Sequence, residues 1–114
     1  MRVLVVGAGQ TGMQVIEQLK KNPQITVLTA DPRPEPKAVR DGLVDRLDVT
    51  DAITPLTLDD VVQRTGAGLV LMTLSAEELG LGETPGVDML ADALLDELAA
   101  VAKVPVIDVA RGTV

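Results

Sequence analysis

The sequence predicts an α/β fold: a three-layer, doubly wound parallel sheet in strand order 3-2-1-4-5, with helices on both faces. Three observations carry this expectation. Short aliphatic and β-branched runs alternate with stretches of helical spacing. The first run, "RVLVV", passes straight into a glycine turn, "GAGQTG", that opens a helix. An acid, Asp31, closes the second run. The 114 residues give room for one sheet with its helices and for no second domain of ordinary size, so residues 1–114 read as a single domain.

Each element has its own justification. Arg2 to Val6 is apolar on both faces, as a central parallel strand covered by helices must be. Beyond the glycines, Met13, Val15, Ile16 and Leu19 form one helical stripe, which ends at Lys20, Lys21 and Asn22 before Pro23 stops it. "ITVLTA", residues 25–30, is the second strand, and the alternate prolines of "DPRPEPK" then forbid regular helix or ladder. A short helical turn at 37–41 ends at Gly42, and a third strand is expected at 44–49, interrupted by Asp45 and Arg46. Thr57 is placed to cap a helix carrying Leu58, Val61 and Val62, with Asp59 and Asp60 in its positive first turn and Gly66 closing it. "LVLMTL", 69–74, is the fourth strand, and the glycines and Pro85 make 75–86 a loop. Val87, Leu90, Ala91, Leu94, Leu95, Leu98 and Ala102 mark the last long helix, and "VPVIDV", 104–109, is strand five.

Composition excludes several classes of function. A net charge of −7 opposes the phosphate neutralisation on which nucleic-acid affinity depends, so no nucleic-acid partner is expected. With no Cys and no His, the chain lacks thiolate nucleophiles, imidazole bases and the usual zinc ligands. With no Phe, Tyr or Trp, no base can stack on an aromatic ring. The N-terminal apolar run breaks at Gly7 and no later run reaches membrane-spanning length, so a cytoplasmic protein without direct membrane insertion is expected.

The glycine turn is the candidate site. In Gly7, Ala8, Gly9, Gln10, Thr11 and Gly12, the first glycine suits a tight turn, the second allows a pyrophosphate to approach the backbone, and the third allows close helix–strand packing. The N–H groups that open the helix would then face phosphate. Asp31 lies nineteen residues beyond Gly12, at the end of the second strand, where a carboxylate accepts hydrogen bonds from ribose hydroxyls. This favours NAD or NADH, or ATP or ADP, over NADP, although Arg33 offers a guanidinium that suits a 2′-phosphate or an adenine face. Asp48, Val49 and Thr50, in "LDVTD", lie at the sheet edge near the adenine position. Thr73, Leu74 and Ser75 lie at the end of strand four, near phosphate or the second ribose. Asp45, Asp48 and Asp51 do not converge at their spacing, so no metal site is expected.

The order of "VLVVGAGQTG", "TADPRPEPKAVRDG", "LDVTD", "GAGLVLMTLSAEE" and "DMLADALLDELAAVAKVPVIDVAR" resembles the TrkA-N, or RCK N-terminal, domains, the Rossmann-type nucleotide-sensing regulators of potassium channels and uptake systems. The resemblance runs over nearly the whole chain. It implies that Gly7, Gly9, Gly12, Asp31, Asp48, Thr50 and Thr73 line a site for NAD, NADH, ATP or ADP, and that the bound ligand biases the shape of an oligomer.

The expected function is therefore a non-catalytic regulatory or sensory module that binds an adenine nucleotide, as a homo-oligomer or as a subunit of a larger assembly such as a membrane transport system. Lys20, Lys21, Lys37 and Lys103 all fall outside the expected pocket, which leaves no catalytic residue to assign. Two other readings remain open: the cofactor domain of an NAD-dependent oxidoreductase whose catalytic part lies elsewhere, and a degenerate Rossmann scaffold for protein interaction.

Overall fold

Strand β1 (Arg2–Val6) organises the molecule, because a strand with no polar face must be covered from both sides. In the computed structural model, which describes residues 1–33, 35–51, 53–73, 93 and 96–109, Val3 to Val6 are at most 1% exposed. Their side chains alternate between two cores. Leu4 and Val6 meet Leu58, Val61, Val70 and Met72 on one face. Val3 and Val5 meet Ala8, Ile16 and Ala38 on the other. The sheet is parallel throughout, with β2 (Thr26–Ala30), β1, β3 (Leu69–Met72) and β4 (Val106–Asp108) in the order β2-β1-β3-β4.

Helices α1 (Gln10–Lys20) and α2 (Lys37–Arg40) cover the Val3–Val5 face. Helix α3 (Leu58–Thr65) and residue Leu98, within helical residues 96–101, cover the Leu4–Val6 face. The result is an α/β domain with helices on both faces of a four-stranded parallel sheet, compatible with a Rossmann-like fold. Local chemistry explains the helix ends. Lys20 stands in the last turn of α1 and Pro23 lies just beyond it, while Gly66 ends α3 in the left-handed conformation, φ 69°.

The structure departs from expectation at two places. Thr57 does begin α3, but its hydroxyl does not cap the helix. It turns back to accept the Thr54 N–H at 2.9 Å, which makes a tight lead-in of residues 54–57, and Asp59 and Asp60 are left to meet the positive end of α3. The larger departure is the expected third strand. Residues 44–49 form no strand and pair with the sheet at one isolated parallel bridge, Ala30 to Val49, so among the described residues the sheet has four strands in place of the five of the 3-2-1-4-5 order.

The cause is visible in the bonds along the outer side of β2. The Thr29 carbonyl accepts from both Asp48 N and Val49 N at 3.0 Å. The Thr29 N–H, which a third strand would pair with a carbonyl, donates to Asp48 Oδ2 at 2.8 Å. A side-chain carboxylate thus takes the place of a neighbouring strand. The residues before it leave the edge, and a groove of about 410 Å³ opens there between Lys20, Val27, Leu43, Val44 and Arg46. The expected loop at 75–86 and most of the apolar face expected at 87–95 lie outside the described residues. Among the described residues, no helix is long and apolar enough to cross a membrane.

Candidate functional site

The carboxyl ends of β1, β2 and β3 meet at one edge of the sheet, and the glycine turn is fastened there from three directions. Gly7 has φ 108°, a conformation that side chains disfavour, and this lets the chain leave β1 sharply. Its N–H donates to the Ala30 carbonyl at 2.6 Å. Beside it, the Ala8 N–H donates to Asp31 Oδ2 at 2.9 Å and the Ala8 carbonyl accepts from Ala38 N at 2.9 Å, which ties in α2. From the third side, Thr73 donates its hydroxyl to the Val6 and Gly7 carbonyls at 2.9 and 3.0 Å and its N–H to Val6 at 2.9 Å.

Gly12 shows why this turn has to be glycine-rich. A Cβ at that position would stand 1.8 Å from the Gly7 carbonyl oxygen and 2.9 Å from Thr73 Oγ1. Without it, the first turn of α1 lies directly against the end of β1. Gly9 precedes α1 in an extended conformation, with no side chain capping the helix and no acid in its first turn. The first intrahelical bond runs from Met13 N to the Gly9 carbonyl at 2.8 Å, so the N–H groups of Gln10, Thr11 and Gly12 precede any intrahelical acceptor. Gln10 is exposed and Thr11 is half-buried. Helix α3 differs, because Asp59 and Asp60 supply anions to its first turn.

Asp31 is fully buried. Its Oδ1 accepts the Arg33 N–H and Nε–H at 2.9 Å each, and its Oδ2 accepts Ala8 N–H at 2.9 Å and Arg33 Nη2 at 2.7 Å. Burial alone pushes the carboxyl pKa up. The hydrogen bonds from the Arg33 side chain, from the Ala8 and Arg33 backbone and the guanidinium charge together outweigh it, and hold Asp31 below its ordinary 3.8. Asp31 is therefore a carboxylate at neutral pH, and the sequence did not disclose how completely it is engaged.

The remaining candidates separate into two groups. Thr73 is 2% exposed and bonded to the turn, so its hydroxyl acts as a fastener rather than a group presented to solvent. Val49 is 5% exposed and belongs to the core beneath α3. Asp48 is exposed and spends Oδ2 on Thr29, while Thr50 is exposed beside it. Leu74 and Ser75 lie outside the described residues. The structure thus brings Gly7 to Gly12, Asp31, Arg33 and Thr73 together, and sets Asp48 on the outer side of β2.

Sequence reasoning missed the part of Ala38, whose N–H holds the Ala8 carbonyl of the turn. A backbone donor leaves no mark in residue identity. Among the described residues, no three acidic side chains gather as metal ligands would. Comparison with known protein families, curated proteins and solved structures gives no match.

Proposed function

We propose that this domain binds an adenine nucleotide at the Gly7–Gly12 turn, NAD or NADH in first place and ATP or ADP in second, and serves as a non-catalytic regulatory or sensory module akin to the TrkA-N/RCK domains of potassium transport regulators. The reading includes the Rossmann topology of that class, a cytoplasmic location, and assembly as a homo-oligomer or subunit. One observation carries it: α1 begins directly at the end of β1 with neither a side-chain cap nor an acid, and a buried carboxylate stands beside that opening. Backbone N–H groups at a helix start accept phosphate, and an acid at the end of β2 accepts ribose hydroxyls. Gly9, Gln10 and Thr11 would hold the pyrophosphate and Asp31 the adenosine ribose.

A second reading has its own support. Asp31 already accepts hydrogen bonds from Ala8 and Arg33, so the same turn also makes sense as a piece of scaffold. Isothermal titration calorimetry against NAD, NADH, NADPH, ATP and ADP separates the two and needs no aromatic fluorescence. Saturable binding of NAD or NADH is the expected result. Heats no larger than dilution for all five nucleotides would leave the scaffold.

A further inference from the structure

Arg33 stands where the proposed ribose would have to bond. A carboxylate has about four acceptor positions, and Asp31 uses four: two for the backbone N–H groups of Ala8 and Arg33, two for the Arg33 guanidinium. The backbone donors are part of the main chain. The guanidinium belongs to a side chain that is 41% exposed, on a stem of rotatable bonds, and none of the pairing of β2 with β1 runs through it. A ribose with free 2′- and 3′-hydroxyls brings two O–H donors, the number that the guanidinium would withdraw.

We propose that Arg33 is an internal stand-in for the ribose diol, a specificity-determining residue whose fork holds the Asp31 oxygens until a nucleotide displaces it. This inference rests on the nucleotide-binding reading above and adds the sign of the Arg33 contribution. An arginine that touches the ligand strengthens binding. An arginine that must first be removed weakens it for every nucleotide that presents a diol. The displaced charge then lies beside the ribose, where it offsets that loss for a nucleotide carrying a 2′-phosphate. Arg33 thereby disfavours NADH relative to NADPH.

The test is calorimetric titration of NADH and NADPH into the wild-type chain, Arg33→Ala and Arg33→Lys. Arg33→Ala is expected to tighten NADH roughly fivefold to tenfold, the scale of one charge-assisted hydrogen-bonding pair at a half-exposed site, and to leave NADPH no tighter. Arg33→Lys keeps the charge without the planar fork and should fall between. NADH binding that weakens or stays the same in Arg33→Ala overturns the proposal while leaving nucleotide binding intact. Absence of binding by the wild-type chain and by both variants removes the nucleotide reading and this inference together.

A second readout needs no variant. In the ¹⁵N-labelled wild-type protein the Arg33 Nε–H signal should shift when NADH is added, as the bond to Asp31 breaks. A binding curve in which that signal does not move overturns the displacement.

Discussion

The glycine turn and the outer edge of β2 solve the same problem with the same residue type and reach different results. In each, a backbone N–H left over by the parallel ladder is taken by an aspartate: Ala8 by Asp31 and Thr29 by Asp48. Asp31 is fully buried, shares its oxygens with a guanidinium and lies beside a helix start. Asp48 is exposed and borders an open groove. Both donors belong to buried residues, but an exposed acceptor beside an open groove can be replaced by water, whereas a buried acceptor beneath the turn has no such substitute. The turn is therefore the rigid half of the pair, and the edge is the part that tolerates change.

Substitutions can break this contrast, beginning with the most severe. Gly12→Ala should destabilise by about 4 kcal/mol or prevent folding, since the clash is with backbone oxygen that cannot rotate away. Urea unfolding followed by far-ultraviolet circular dichroism reads it, and a loss below 1 kcal/mol on the order-of-magnitude scale of surface changes would show that the turn yields. Asp31→Ala comes next, at about 3 kcal/mol, because it strips the buried Ala8 N–H of its acceptor. A wild-type-like urea midpoint in that variant would mean water reaches the turn.

The Asp31 carboxyl also gives an acid signature. Its folded pKa lies below the ordinary 3.8, so its contribution is in place above that value and is lost as pH falls through the lower folded value. Urea midpoints measured from neutral pH down to about pH 2 should fall on this account. The acid-dependent loss should shrink in Arg33→Ala, which removes the largest of the pKa-lowering influences. Identical acid profiles for the two proteins would sever the link between Arg33 and Asp31.

Thr73→Val keeps the shape and deletes the hydroxyl that Val6 and Gly7 accept, for an expected loss of about 1 to 2 kcal/mol. The smallest effect belongs to the other side of the comparison. Asp48→Ala should cost about 0.5 to 1 kcal/mol, because Thr29, although itself only 2% exposed, lines the open groove through which water can replace the lost carboxylate. A larger loss for Asp48→Ala than for Thr73→Val in the same titration would invert the contrast and make the edge the rigid part.

Much of the framework was legible in residue order. Continuous aliphatic runs marked β1 and β3, the spacing of Met13, Ile16 and Leu19 marked α1, and Gly66 marked the end of α3, because burial and backbone conformation act through residue type. The strand expected at 44–49 does not form, although the apolar Val44, Leu47 and Val49 within it suit a strand. What decides the matter is Asp48, a side chain acting as a main-chain acceptor, and periodicity has no term for that. The glycine turn could be located, and the need for Gly12 was foreseen. The pairing of Arg33 with Asp31 depends on side-chain direction across a proline turn, which spacing does not fix.

The position of β1 also makes its two pairings unequal in cost. Val3 pairs with Val27 on one side and with Leu69 on the other. The first contact closes a short loop that α1 fills, and the second must gather most of the intervening chain. Since the entropy of closure grows with loop length, pairing β1 with β2 costs less chain entropy than pairing β1 with β3. The glycine turn, Asp31 and Arg33 all belong to the part of the chain closed by the shorter loop, whereas Thr73 reaches the turn from the end of the strand that closes the longer one.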